Sequence, residues 1–190
     1  MKINDRLVEV LRAVVRLYPA TKYRIAKSLA YPTSSVYYEL SVLERRGYTQ
    51  TLNEIVSPTL RGLLKYVKNY GCDEVVASVF RVIYKVKSGN VCKFLSLLAQ
   101  YEDELDNDIL NATFKLLGRP FEVERIRGLD SEVVEVVAEI VAREFPTLNH
   151  GGHRGILISS SDGEVWFLGY CSYCSKYLFD RCKKLFIKLE

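Results

Sequence analysis

The chain is poor in the residues that most single-domain enzymes lean on. Histidine occurs twice and methionine and tryptophan once each, and glutamine is scarce. No G-x-S-x-G, P-loop, G-x-G-x-x-G or HExxH pattern is present, which removes the commonest hydrolase, nucleotide-binding and metalloprotease signatures. No enzyme is expected. No apolar run reaches the roughly 18 residues that a membrane span needs, so no membrane partner is expected. The opening "MKINDRLVEVL" is charged and amphipathic and lacks the apolar stretch of a secretory signal, so a cytoplasmic protein is expected. Five cysteines (Cys72, Cys92, Cys171, Cys174 and Cys182) come without that signal, so a disulfide framework is not the default. Scarce glutamine and methionine beside abundant Val, Tyr, Arg and Glu suggest a thermophile, where an intracellular disulfide is allowed. Internal repeats and low-complexity segments are absent.

What the chain does have is an uneven charge. Residues 1–70 hold twelve Lys and Arg against five Asp and Glu, a balance of +7. Residues 71–149 stand at −5 and residues 150–190 at +2. A basic N-terminal third attracts phosphate backbones.

That third reads as a series of short elements. Residues 4–18 set Leu7, Leu11, Val14 and Tyr18 on one helical stripe, with Asn4 or Asp5 as cap and Pro19 as stop. "TKYRIAKSLA" predicts a second helix with Thr21 as cap and Ile25 and Leu29 inward. "SSVYYELSVLERRGYTQ", residues 34–50, predicts a third helix, capped by Thr33 or Ser34 and ended by Gly47. Val36, Leu40 and Leu43 face a core, and the opposite stripe carries Ser34, Tyr38, Ser41 and Arg45. Two strands, 48–51 and 55–57, flank a Leu-Asn turn. "SPTLRGLLKYVKNYG" starts a fourth helix near Ser57 or Thr59 and ends it at Gly71.

Three helices, a hairpin and a fourth helix are the layout of a winged helix-turn-helix. The run "LSVLERRGY" and the "SPTLRGLL" after the hairpin resemble the reading helix, wing and following helix of PadR-like and MarR-like regulators, over about residues 4–70. The resemblance implies a DNA-binding fold. In such a fold the start of the third helix lies near base edges. Ser34, Ser35 and Tyr38 then face bases or phosphate, with Ser41 on the same stripe, and Thr33 reaches phosphate. Arg45 and Arg46 clamp backbone, Lys22, Tyr23 and Arg24 open the second helix toward a phosphate, and Thr51 and Asn53 reach the minor groove from the wing. The lack of Arg or Asn early in the reading helix points to modest sequence discrimination.

The rest reads as α+β. "DEVVASVFRVIYKVK", 73–87, is a strongly apolar helix, and residues 91–117 keep a helical period as one helix or two split near Asp103. "FEVERI" alternates like a strand, 130–145 is a helix capped by Asp130 or Ser131, and "ILIS" and "EVWFLGY" form a hairpin. "SKYLFDRCKKLF" predicts a closing helix. The expected division is a winged-helix domain (1–70), a helical dimerisation segment (71–118) and a small α+β domain (119–190) with a metal, ligand or partner site.

The hairpin suggests that site. His150 and His153 precede its first strand, and Cys171 and Cys174 follow its second. Antiparallel pairing brings those ends together, and each pair has the spacing of zinc ligands, so a closed Cys2His2 zinc site is a candidate. Three cysteines of C-x2-C-x7-C with Cys72 or Cys92 would suit an iron–sulfur cluster, and Cys182 can also pair with Cys171 or Cys174. Cys171 or Cys174 with His153 has the elements of a nucleophile pair, but the same residues serve zinc better. The five carboxylates of "YEDELDND", counted from Glu102, lack the glycine and terminal glutamate of a calcium loop and read as a solvated face.

The expected function is transcriptional regulation through duplex DNA, as a homodimer, with no effector identified by the sequence. The alternative is a winged-helix module that docks protein in a transcription or replication assembly, with a structural zinc or iron–sulfur site.

Overall fold

The structure is a computed structural model that describes residues 5–118, 121–145 and 152–181. It is mixed α and β, and it divides into two compact units: Met1–Tyr84 with Leu95–Asp108, and Lys85–Phe94 with Ile109–Glu190.

In the first unit α1 (Asp5–Leu17) buries Leu7, Val10, Leu11 and Val14 on one stripe. After it come β1 (Ala20–Thr21), α2 (Lys22–Ser28) and α3 (Thr33–Arg45). Thr21 caps α2 by accepting the Arg24 N–H. The cap of α3 departs from the sequence reading. Its N-cap is Pro32, with no side-chain bond, so the Thr33 and Ser34 hydroxyls lie exposed within the first turn. Proline's fixed φ suits the position before a helix, and it leaves both hydroxyls unused by the backbone.

Strands β2 (Thr49–Leu52) and β3 (Ile55–Pro58) pair antiparallel with Leu52 opposite Ile55, and β1 adds to β3 to give the order β1–β3–β2. The turn is Asn53–Glu54, one residue beyond the expected Leu-Asn, and both residues have positive φ. Asparagine takes that conformation more readily than leucine, which fixes the register. Helix α4 (Leu60–Tyr70) begins at Thr59, whose hydroxyl accepts the Gly62 N–H at 3.2 Å. Helix α5 (Glu74–Tyr84) packs on α1 and α4. Leu11, Ile25, Leu40, Leu43, Leu63 and Leu64 are among the fully buried side chains.

Helix α6 (Val91–Leu98) runs into a 3-10 helix at Ala99–Glu104. The second half of the 91–117 period is then a separate helix, α7 (Ile109–Leu117).

The second unit contains α7, α8 (Val123–Arg127), α9 (Ser131–Glu144) and an antiparallel sheet of β4 (Arg154–Ser159), β5 (Val165–Cys171) and β6 (Lys176–Asp180) in that order. Two sequence expectations fail here. "FEVERI" is helical over 123–127, because Val123 and Ile126 bury on one face three residues apart. Residues 176–180 are a strand that pairs with β5, not the start of a helix. Helix α9, capped by Asp130, buries Val133, Val136, Val137, Ile140 and Val141 and packs across all three strands. Glu139 on α9 accepts the N–H groups of Lys87 and Ser88 at 2.8 and 2.7 Å and holds that loop within the unit.

Candidate nucleic-acid interface

In the first unit, α2, α3 and the β2–β3 hairpin carry the sequence-predicted residues. Val36, Leu40 and Leu43 of α3 are buried, as the period requires. The far side of the helix is open. Tyr38 is 63% exposed, and Ser34, Ser41 and Arg45 are exposed with it. Ser41 turns its hydroxyl back to the Tyr37 carbonyl at 3.0 Å, as serine in a helix commonly does. Ser35 is only half-exposed.

On α2, Tyr23 is 61% exposed and Arg24 is exposed. The Lys27 ammonium lies 5.6 Å from the Tyr23 ring centroid, a cation over an aromatic face. Lys27 carries charge on this face and was missed by the sequence reading, which weighed only the opening residues of the helix. Lys22 is half-buried and reaches Glu44 at 4.0 Å.

Glu44 is a second omission. Its carboxylate accepts the Thr51 N–H at 3.0 Å and so ties the end of α3 to the hairpin. Thr51 is half-exposed, and Asn53 stands exposed at the tip in its left-handed conformation. Arg24 and Arg45 make no ion pair among the described residues, and their charges face solvent.

The root of the hairpin is a network assembled from distant sequence. The Thr59 hydroxyl donates to the Gly47 carbonyl at 2.6 Å, and the Asn107 amide donates to the same oxygen at 3.0 Å. Arg61 donates from its guanidinium to the Arg46 carbonyl at 3.3 Å and stacks over the Tyr48 ring at 5.1 Å. The carbonyls just past the end of α3 are therefore satisfied by side chains, while those of its last turn accept the backbone N–H groups of Arg46, Tyr48 and Gly47. Arg46, read as a phosphate clamp, is half-buried, and its backbone serves this network.

Glu102 lies beneath the network. It is fully buried, accepts the Tyr48 hydroxyl at 3.1 Å and pairs with Lys65 at 3.2 Å and Lys68 at 3.6 Å. The 102–108 segment is therefore not uniformly a solvated face. Lys68 also binds Asp103 at 3.0 Å and holds that carboxylate below its usual range, and burial beside Glu102 pushes the Tyr48 phenol up.

In the second unit, His153 is buried, and its Nδ1 accepts the Ser172 N–H at 3.0 Å. Its Nε2 is buried without a partner among the described residues. Cys171 is a buried strand residue, and Cys174 sits exposed in the Ser172–Ser175 turn between β5 and β6. The C-x2-C spacing thus spans a hairpin turn. His150 and Cys182 lie outside the described residues. Among the described residues no group of three or more His, Cys, Asp or Glu side chains gathers as for a metal ion. Cys72 and Cys92 are disulfide-bonded, so neither offers a thiolate to a cluster.

Burial lowers the His153 pKa from its ordinary 6.5, against a weaker opposite pull from the backbone at Tyr170. The folded state then binds the proton less well than the unfolded chain does. Its contribution is present above pH about 6.5 and is lost as pH falls through that value toward the folded pKa. Melting temperature is therefore expected to drop between pH 7.5 and pH 5, about neutrality and below. His153→Gln should flatten that part of the profile. An unchanged profile would mean that other groups govern it.

None of the described helices is long and apolar enough to cross a membrane. No protein-family model matches the chain, and no curated protein does. A solved structure described as the crystal structure of a hypothetical protein is similar at 17% identity and a TM-score of 0.32. The match covers 87% of this chain and 46% of that one, so this chain spans about half its length.

Proposed function

We propose that residues 5–70 act as a winged helix-turn-helix that binds duplex DNA, with α3 as the reading helix and the β2–β3 hairpin as the wing. The observation that carries this reading is the open face of α2 and α3. Arg24, Lys27, Arg45, Tyr23, Tyr38, Ser34 and Ser41 point to solvent from helices whose opposite sides are buried. Cations beside hydroxyls are what phosphate and base edges bind. The element order and the β1–β3–β2 sheet fit the same reading. One module of this size covers a half-site, so two copies per operator are proposed, giving a DNA-binding regulator in the cytoplasm.

The test is anisotropy on labelled duplex across a salt series. Affinity is expected to fall linearly in log–log terms as salt rises. Replacing Tyr38 and Arg45 together by alanine should weaken binding by about tenfold or more, with unchanged melting. Unchanged affinity in that double variant would remove α3 from the interface.

A second reading has its own support. Exposed tyrosines at 23, 37 and 38 also suit a protein interface, where Tyr is enriched. Absence of duplex binding at low salt would favour a protein-docking winged helix.

A further inference from the structure

The open face of α2 and α3 is aromatic as well as cationic. Tyr38 and Tyr23 are 63% and 61% exposed, and Tyr37 is exposed too. At about 100° per residue, Tyr37, Ser41, Ser34, Arg45 and Tyr38 fall within an arc of about the same width, so two tyrosines and a cation share one exposed stripe of α3. On α2 the Lys27 ammonium stands 5.6 Å from the Tyr23 ring centroid, so ring and charge meet a ligand at one place. Lys22 reaches Glu44 at 4.0 Å, which sets the start of α2 against the end of α3. Glu44, an acid on this face, is engaged there and with the Thr51 N–H. The wing adds no positive charge: residues 47–60 hold no Lys or Arg, and Glu54 is exposed at the tip. The first turn of α3 holds no Arg, Asn or Gln to read a base edge.

We infer that this face also binds single-stranded nucleic acid. Tyr37 and Tyr38 are the platform for unstacked bases, Arg45 holds the backbone beside them, and Tyr23 with Lys27 is a second station of the same kind. In a closed duplex the bases stack on one another and offer only their edges, so the flat face of a tyrosine finds no partner there. A single strand offers base faces and phosphates together. Aromatic stacking beside a cationic track is how proteins hold such strands without reading sequence. Edge readers are not needed in this mode, because every base has a π-face. The free cations of the face, Arg24, Lys27 and Arg45, stand on α2 and α3 and not on the wing, which suits one backbone. The inference rests on α2 and α3 being the nucleic-acid face, but not on their binding a duplex.

The full chain is titrated at low salt with labelled oligothymidylate and oligouridylate of about 20 nucleotides, and with a labelled duplex as reference. A saturable anisotropy change is expected with at least one strand, at a Kd of about 10 μM or below. The strand held more tightly tells whether DNA or RNA is the source. Replacing Tyr37 and Tyr38 together by leucine keeps apolar bulk without a π-face, and should weaken strand binding about tenfold or more. Replacing both by phenylalanine should leave it within about twofold of the parent. Both positions are exposed, so melting should not change in either variant. Duplex binding without strand binding would overturn the inference and leave the duplex reading standing. Loss of both would overturn the two together. A leucine variant that binds strands as the parent does would also overturn it, and so would a phenylalanine variant as weak as the leucine one.

Discussion

Gly62→Ala is expected to be among the most damaging single changes in the first unit. A Cβ at this position in α4 would stand 2.0 Å from the Tyr48 carbonyl oxygen. That oxygen cannot retreat easily, because it accepts the Thr59 N–H at 3.1 Å. Alanine is the better helix former by about 1 kcal/mol, so propensity alone predicts stabilisation. The steric term is larger and opposite. A clash with fixed backbone lies at or beyond the upper end of the overpacking range, about 3 kcal/mol. Urea denaturation should show a net loss of about 2 kcal/mol or more. A gain would mean that α4 can slide away from the hairpin root at little cost.

Glu102→Ala should cost still more. The carboxylate is wholly buried, and its removal strands Lys65, whose side chain is 17% exposed, and leaves the Tyr48 hydroxyl without its acceptor. Removing one partner of a buried pair typically costs about 3–5 kcal/mol. Lys68→Ala is the control. Its side chain is 42% exposed and its pairs are screened, so about 1 kcal/mol or less is expected. The two variants measured side by side in urea separate burial from simple ion pairing. Equal effects would place Glu102 nearer solvent than its burial implies.

The sequence revealed the helices of the first unit because each announces itself locally. A buried stripe, a threonine cap at Thr21 or Thr59 and a glycine stop at Gly47 all lie within one or two turns. The exposed stripe of α3 followed from the same period. The hairpin register was misread by one residue because Leu-Asn and Asn-Glu are both poor turns by composition. What decided between them was asparagine's tolerance of positive φ at the first turn position. In the second unit, short segments deceived. "FEVERI" fits an alternating strand and a single helical turn equally well, and pairing with β5, invisible to local pattern, turned residues 176–180 into a strand. The C-x2-C motif spans a hairpin turn, a placement that its spacing alone does not reveal. Glu102 and Asn107 carried no signal at all. Their partners lie in another part of the chain, and an acidic run looks the same whether or not one member is buried.

That remoteness bears on the order in which the protein assembles. The bonds that finish the hairpin root span 46 residues from Arg61 to Asn107, 54 from Tyr48 to Glu102 and 60 from Gly47 to Asn107. Helices α1 to α4 can meet through nearer contacts, but the root must wait for a long loop to close, and closing it is an entropic cost met before any of these bonds form. Side-chain truncation at Asn107 should then speed unfolding and leave the folding rate nearly unchanged, the mark of a low φ-value. The hairpin is thus the part of the first unit whose shape is settled last, and the acidic segment far along the chain is what settles it.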